Sequence, residues 1–173
     1  MSDLGSVYAA FIHDQLTFER ARNESLTERG GKLQQSSSLT LGIFVTALGL
    51  LLGKDPHLEL IPLLMFSVTM IAAILALFCG ITVTRLVPHD VADTKTMTAM
   101  LNGHWRDDPI DSRNITATLE VETITGLRQG NNKKAYWLNF GLRTQAATLA
   151  LGVATFAVVA AGLATRALEA VPQ

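Results

Sequence analysis

The sequence predicts an all-α integral membrane protein with three transmembrane helices. Of its 173 residues, 49% are hydrophobic and only 17% are charged, and the mean hydropathy is +0.29. Asp, Glu, Lys, Arg and His are all missing from Leu33–Gly53, Leu60–Thr84 and Thr144–Thr165. These stretches contain 21, 25 and 22 residues, close to the ~20 that a helix needs to cross the hydrocarbon of a bilayer. The alternative is three buried helices of a soluble protein, but little amphipathic sequence remains to cover them.

Residues 1–32 are predicted to form an N-terminal cytoplasmic amphipathic helix. Leu4, Val7, Tyr8 and Phe11 recur at helical spacing, and the charged segment "FERARNESLTER" follows them. This apolar stripe indicates packing against a partner helix rather than a membrane surface, because acidic residues are as frequent as basic ones here. The pair Gly30-Gly31 is expected to break or bend the helix before the first membrane span.

Residues 33–84 are predicted to form a transmembrane hairpin, with spans at 33–53 and 60–84. The segment "GKDP" after Leu52 indicates the end of the first span, with Pro56 beyond it. Pro62 is tolerated in the opening turn of the second helix, where its missing N–H is not needed. The turn between the two spans is therefore short.

Residues 85–143 are predicted to form a cytoplasmic helical region that leads into a third transmembrane helix at 144–165. One short helix is expected within 89–105, and "RDDP" ends it. The alternation of Ile115, Ala117, Leu119 and Val121 fits a strand, but the wider pattern also fits a helix. We favour a helix capped near Asp111 or Ser112 that runs on towards the third span.

The distribution of basic residues predicts the orientation in the membrane. Four Lys or Arg residues precede the first span, one lies between spans one and two, eight lie between spans two and three, and one follows span three. By the positive-inside rule, the N-terminus and residues 85–143 are cytoplasmic, while the tail 166–173 is external. The predicted location is the inner (plasma) membrane, crossed several times.

Uncharged polar residues at the start of the first span are the candidates for a pore or a helix interface. The apolar remainder, Leu39–Gly53, is 15 residues long, or roughly 22 Å of helix, which is shorter than a ~30 Å hydrocarbon core. About one turn of the polar block is therefore expected at membrane depth. We place two glutamines at the cytoplasmic mouth, and the serines and threonine inside a helix interface or pore entrance. The candidates are Gln34, Gln35, Ser36, Ser37, Ser38 and Thr40.

Small residues spaced four apart are candidates for helix packing. Gly49 and Gly53 form a GxxxG pair, and Ala157 with Ala161 forms a similar pair on the third span. Such pairs let two helix backbones approach closely in lipid. Packing within one chain and association between chains remain equally open. Three helices from one chain do not readily enclose an aqueous pore, so a channel would need a homo-oligomer.

A basic and aromatic segment precedes the third span. It combines Arg128, Asn132, Lys133 and Lys134 with Tyr136 and Trp137. An interfacial aromatic belt with positive-inside anchors is a sufficient explanation. The alternative hypothesis is a site for an anionic ligand or a lipid headgroup, formed by the four polar residues.

The sequence does not favour an enzyme. It contains neither a nucleophile elbow nor a paired-cysteine metal motif, and Cys79 is its only cysteine. His89, Asp90 and Asp93 are explained better as caps and solvated charges than as metal ligands. We therefore expect no catalytic residues, no metal, no cofactor and no binding of duplex nucleic acid.

Two segments resemble bacterial antiphage membrane effectors. The segment Ala21–Phe44, the tight hairpin after it, and "NNKKAYWLNFGLRTQ" before the last span are similar to the Pycsar transmembrane effectors and the SLATT-type effectors. Leu26, Lys32 and Leu33 match positions of the first family motif. Asn132 with Lys133 or Lys134 matches the second, whereas Gly30-Gly31 replaces the alanine-rich helix usual there.

The resemblance implies a homo-oligomeric effector that permeabilises the bacterial inner membrane in antiviral defence. It also implies control by a nucleotide second messenger, the product of a regulatory nucleotidyltransferase or cyclase, or by a partner protein. A membrane adaptor that anchors a soluble partner without conducting ions is the second hypothesis. A small transporter is a third, although no predicted span carries a charge to couple ions.

Overall fold

The computed structural model describes residues 4–54, 60–85, 94–100 and 108–169, and in this part of the chain every regular element is helical. Helix α1 is Leu4–Lys54, α2 is Leu60–Thr84, α3 is Thr94–Ala99 and α4 is Pro109–Glu169. The all-α prediction is confirmed for these residues. Pro56, which follows the predicted first span, lies outside them, as do the predicted caps or solvated charges His89, Asp90 and Asp93 and the tail beyond 169.

Helix α1 runs without interruption through Gly30 and Gly31, so the predicted helix break is wrong. Neither glycine has a positive φ angle. Gly30 is buried, and a Cβ atom added there would lie 2.6 Å from Cγ1 of Val83. This glycine permits a close approach of α1 to α2, which explains its presence inside a helix.

Helix α4 combines the predicted cytoplasmic helix and the predicted third span in 61 continuous residues. The strand alternative for residues 115–121 is therefore wrong. The predicted cap at Asp111 or Ser112 is also displaced. The cap is Asp108, whose Oδ1 accepts a hydrogen bond from Ile110 N at 3.2 Å. Pro109 is the first helical residue, where its fixed φ suits the helix and its missing N–H costs nothing.

Buried residues recur along the long helices in alternating steps of three and four. This average period of 3.5 residues is that of a left-handed coiled coil. Many of the positions carry polar or small side chains, which concealed the repeat in the sequence. Besides Gly130, the buried positions in α4 are Ile124, Leu127, Asn131, Lys134, Leu138, Gly141, Gln145, Thr148, Gly152, Thr155 and Val159. In α1 they are Leu16, Glu19, Gly30, Leu33, Ser37, Thr40 and Phe44, and the gap of eleven residues between Glu19 and Gly30 covers three steps whose intervening positions are half-buried.

The chain divides into two compact units, and α1 and α4 contribute to both. The first unit comprises Met1–Glu28 and Arg85–Ala135, and the second comprises Arg29–Thr84 and Tyr136–Gln173. In the first unit, Leu16 packs against Ile124 and Leu127. Side-chain hydrogen bonds there join α1 residues to α4 residues between 107 and 113 positions later. This nearly constant offset shows that the two helices run parallel in this unit.

The second unit is a three-helix bundle in which α2 runs antiparallel to the other two helices. Contacts of α1 with α2 pair Gly30 with Val83, Gln34 with Gly80 and Phe44 with Phe66. Residue numbers on α1 rise as those on α2 fall, so these two helices are antiparallel. Contacts of α1 with α4 instead rise together, from Leu33 with Gly141 to Phe44 with Gly152. Phe44, Phe66 and Val159 form an apolar core cluster in this bundle.

Two described helices, α2 and α4, are long and apolar enough to cross a membrane. Only 28% and 22% of their most apolar windows are buried inside the chain. The core helices of a soluble protein bury most of their apolar surface, so this exposure is compatible with a membrane location. The predicted span at 60–84 has the same bounds as α2. The predicted span at 33–53 is helical as part of α1, and its crossing of the membrane stays a prediction.

Candidate functional site

The predicted polar block is divided between two faces of α1. Ser37 and Thr40 are buried, and both bond to Gln145 on α4. Ser37 Oγ donates to Gln145 Oε1 at 2.8 Å, and Gln145 Nε2 donates to Thr40 Oγ1 at 3.1 Å. Thr40 Oγ1 in turn donates to the backbone oxygen of Ser36 at 2.9 Å. These two hydroxyls therefore stabilise the bundle of the chain itself, where an interhelical hydrogen bond satisfies groups that lipid would leave unpaired.

Gln145 is a site residue that the sequence interpretation missed. It is buried and is the residue on α4 to which both hydroxyls bond. The available signal was a lone glutamine close to the start of a predicted span without charges. Such a side chain in an apolar helix usually faces another helix rather than lipid.

The remaining polar residues of the block do not share the environment of Ser37. Gln34 is half-buried, and its backbone lies against Gly80, where an added Cβ atom would be 2.9 Å from Gln34 N. Gln35, Ser36 and Ser38 are exposed. The Oγ of Ser36 donates to the backbone oxygen of Leu33 at 3.0 Å, which satisfies this hydroxyl locally.

An outer stripe of small and polar residues follows the exposed side of α1. We use "outer stripe" for Gln35, Ser38, Gly42, Thr46, Gly49 and Gly53, which are all exposed. At 100° per residue they fall within about 80° of one another, on the opposite side of the helix from Ser37 and Phe44. A Cβ atom added at Gly42, Gly49 or Gly53 would meet no described atom within 4 Å. The stripe therefore faces away from α2 and α4.

The glycines that bring the helices of the second unit together are not those predicted. Gly49 and Gly53 contact no other described helix, and Ala157 and Ala161 are exposed. Their role in packing between chains stays a prediction. Close approach within the unit instead occurs at Gly30, Gly80, Gly141 and Gly152. At Gly141, an added Cβ atom would lie 2.6 Å from Leu33 Cδ2 and 2.8 Å from Cys79 Cβ.

In the first unit, a buried acidic residue joins α1 to α4. Glu19 Oε1 accepts from Arg128 Nε at 2.9 Å, and Oε2 accepts from Asn131 Nδ2 at 2.9 Å. Asn131 Nδ2 also donates to the backbone oxygen of Glu19 at 3.0 Å. Arg22 Nη1 lies 3.6 Å from Oε2. Both carboxylate oxygens are thus paired, which a buried charge requires.

The environment of Glu19 favours its ionised form. Burial by itself would raise the pKa of this carboxyl group. The hydrogen bonds from Asn131 and Arg128 and the charges of Arg22 and Arg128 outweigh burial, so the pKa lies below its ordinary value. The sequence interpretation missed Glu19 because it stands within a run of exposed charges and only its position in the repeat identifies it.

Lys134 is a buried cation that donates hydrogen bonds to two neutral side chains. Its Nζ donates to Asn23 Oδ1 at 2.7 Å and to Thr27 Oγ1 at 3.0 Å. Burial lowers the pKa of this amine, because removing an ammonium group from water disfavours the charged form. Polar groups at such core positions of a coiled coil fix the register of the helices at a cost in stability.

The four candidates for an anionic ligand are placed in different surroundings. Arg128 and Lys134 donate to α1 side chains, and Asn132 Oδ1 accepts from Arg22 Nη2 at 3.1 Å. Lys133 is exposed. Three of the four are therefore engaged in the α1–α4 contact of the first unit. Binding of an anion by these residues stays a prediction, as does their role at a lipid headgroup.

Among the described residues, no group of three or more His, Cys, Asp or Glu side chains is arranged to hold a metal ion. Comparison of the chain with protein-family models, with curated proteins and with solved structures finds no match. The fold and these contacts define the class of protein: a helical protein with two membrane-compatible helices and with polar contacts between α1 and α4 in each of its two units.

Proposed function

We propose that the chain crosses the membrane three times, with residues 33–53 of α1 as the first span. The contacts of α1 with α2 extend from Gly30 to Phe44 and so follow most of the length of α2. A helix that packs along a membrane-spanning helix over this distance lies at the same depth in the bilayer. The distribution of basic residues supports a cytoplasmic N-terminus and an external C-terminus.

Several copies of the chain then assemble into an effector that permeabilises the inner membrane. The outer stripe carries this proposal, because it faces away from the chain's own helices. The amide of Gln35 and the hydroxyl of Ser38 at membrane depth need a protein or water partner, whereas Thr46 Oγ1 already donates to the backbone oxygen of Gly42 at 2.9 Å. A ring of such helices would present Ser38 and Thr46 to an aqueous path, whereas one chain leaves them facing lipid.

The resemblance of Ala21–Phe44 and of the segment before the third span to antiphage effectors supplies the biological setting. In this proposal the effector depolarises the bacterial inner membrane during infection. Its trigger is a nucleotide signal or a partner protein that acts on the cytoplasmic part of the chain.

Ion flux through reconstituted protein tests this function. Wild-type protein in vesicles of phosphatidylethanolamine and phosphatidylglycerol is expected to dissipate a potassium gradient across the vesicle membrane. The double variant Ser38→Leu/Thr46→Leu should return the flux to the level of protein-free vesicles, because leucine fills the outer stripe with apolar bulk. Ile43→Leu is the matched control, since Ile43 is exposed about 60° beyond the edge of the outer stripe on the same helix.

The control variant should conduct like the wild type. The proposal fails if wild-type protein neither conducts in vesicles nor depolarises cells in which it is overproduced with a nucleotide-signal synthase. It also fails if the double variant conducts as well as the wild type.

A non-conducting membrane adaptor is the second candidate function. An open groove in the first unit favours it, because the groove exposes Tyr8 and Ile12 of α1 beside Val121 of α4. A partner helix of a soluble protein would bury this apolar surface. Replacing Gln35 and Ser38, which are both exposed, with leucine separates the two functions. An adaptor should keep its partner after that change, whereas a conducting assembly should lose or change its current.

A further inference from the structure

We propose that a second copy of this chain docks, parallel and in register, on the exposed apolar side of α1 in the first unit. This surface, which we call the outer seam, consists of Val7, Phe11 and Phe18. The inference rests on the proposed membrane assembly, because the membrane gives every copy the same orientation. It goes further by naming the cytoplasmic contact and the residues that determine its direction.

The outer seam is a helix face that the described chain leaves uncovered. Val7 is 64% exposed, and Phe11 and Phe18 are each 62% exposed. Phe18 lies about 200° around the helix from Leu16, which packs on α4. In the proposed orientation these side chains face water, and burial of such large apolar groups is the main driving force for association.

Charged residues beside the outer seam favour a parallel pair. Positions 24 and 29 flank it on opposite sides, and both side chains are exposed. In a parallel, in-register coiled coil, a residue on one flank faces the residue five positions later on the other helix. Glu24 therefore meets Arg29 of the second copy, and two-fold symmetry creates this pair twice. An antiparallel arrangement would not create these pairs.

Two aspects of the outer seam make the contact a reversible one. Asp14 lies at a repeat position between Phe11 and Phe18, so its two copies repel each other across the seam. Beyond Ala21 the positions carry Ser25 and charged residues rather than large apolar ones. Affinity therefore comes from the three large apolar residues and the paired charges, supported by the membrane, which confines the copies and raises their effective concentration.

Cross-linking of the full chain in membranes tests the contact directly. In a Cys79→Ser background, Phe18→Cys should form a disulfide-linked dimer under mild oxidation. Arg20→Cys is the control, because Arg20 is exposed on a side of α1 that does not belong to the outer seam. Equal cross-linking at both positions, or at neither, would overturn the proposal. A cross-linked product heavier or lighter than two chains would overturn it too, since it would identify a different partner.

Charge reversal tests the direction of the pair. Glu24→Arg and Arg29→Glu should each lower the dimer fraction of the Phe18→Cys protein by about five- to tenfold, because two attractive pairs become two repulsive ones. The double reversal should restore the dimer, although neither residue is then native. No restoration would contradict the parallel arrangement, even if each single variant folds poorly.

The same variants separate this inference from the proposed function. Cross-linking at Phe18→Cys in a protein that conducts no ions would support the contact and remove the permeabilising function. Ion flux without a cross-linked dimer would support the permeabilising function and overturn the contact at the outer seam.

Discussion

Replacing Glu19 with leucine is expected to lower the free energy of unfolding of the first unit by about 3 kcal/mol. The change removes the acceptor of Arg128 Nε and one of the two acceptors of Asn131 Nδ2, which keeps its bond to the backbone oxygen of residue 19. Asn131 is buried and cannot recover its bond from water, whereas Arg128 is half-exposed and partly can. Amide hydrogen exchange of residues 4–28 of α1 measures the effect locally. Glu122→Leu, which removes an exposed carboxylate from α4, is expected to change the exchange little.

The pH dependence provides a second measure of the same contact. The pKa of Glu19 is lowered in the folded chain from its ordinary value of 4.5. Its contribution to stability is therefore fully present above about pH 4.5 and is lost as the pH falls through the folded pKa. The wild type should lose protection in the first unit over that acid range, and Glu19→Leu should lose less. Equal loss in both proteins would show that Glu19 does not stabilise the unit as an anion.

Replacing Gly80 with alanine is expected to lower the stability of the second unit by about 2 kcal/mol. The added Cβ atom would lie 2.9 Å from Gln34 N and 3.0 Å from Gln34 Cα. These are backbone atoms of α1 and cannot rotate away, so α1 and α2 must separate. Thermal unfolding of the purified protein in detergent, followed by circular dichroism, measures the loss.

Gly162→Ala is the matched control for this change. An added Cβ atom at Gly162 would meet no described atom within 4 Å. This substitution should leave the unfolding temperature unchanged or raise it slightly, because alanine favours the helix more than glycine does. If Gly80→Ala were as stable as the control, the close contact of α1 with α2 would be contradicted.

The helices and their approximate bounds could be predicted from the sequence. The bounds of α2 followed from the charge-free stretch alone, because hydrocarbon excludes charge and fixes a minimum length. A helix beginning near residue 111 is favoured over a strand, but the apolar pattern leaves its continuity with the third span open. Gly30 misled the interpretation, since a glycine that allows close helix contact has the same sequence signal as one that ends a helix.

The contacts between the helices could not be predicted, because several buried positions carry charged or hydroxyl side chains instead of apolar ones. The repeat in α1 places Glu19, Ser37 and Thr40 at buried sites, and a search for apolar residues passes over all three. Their partners on α4 lie 105–112 residues later in the sequence, a separation too long for any local sequence pattern to reveal. Only the helix packing shows that Ser37 is buried while Ser38, the next residue, belongs to the outer stripe.

The accessibility of single cysteines along α1 tests most directly whether the outer stripe meets water within the membrane. In a Cys79→Ser background, Gly42→Cys and Gly49→Cys should react with a water-soluble, membrane-impermeant thiol reagent in the permeabilising state. Ile43→Cys and Leu50→Cys lie one residue further along and about 100° around the helix, on exposed apolar positions, and should not react. An aqueous path lined by the outer stripe requires this alternation. Reaction at Ile43→Cys and Leu50→Cys with protection of Gly42→Cys and Gly49→Cys, or no reaction at any of the four, would contradict it.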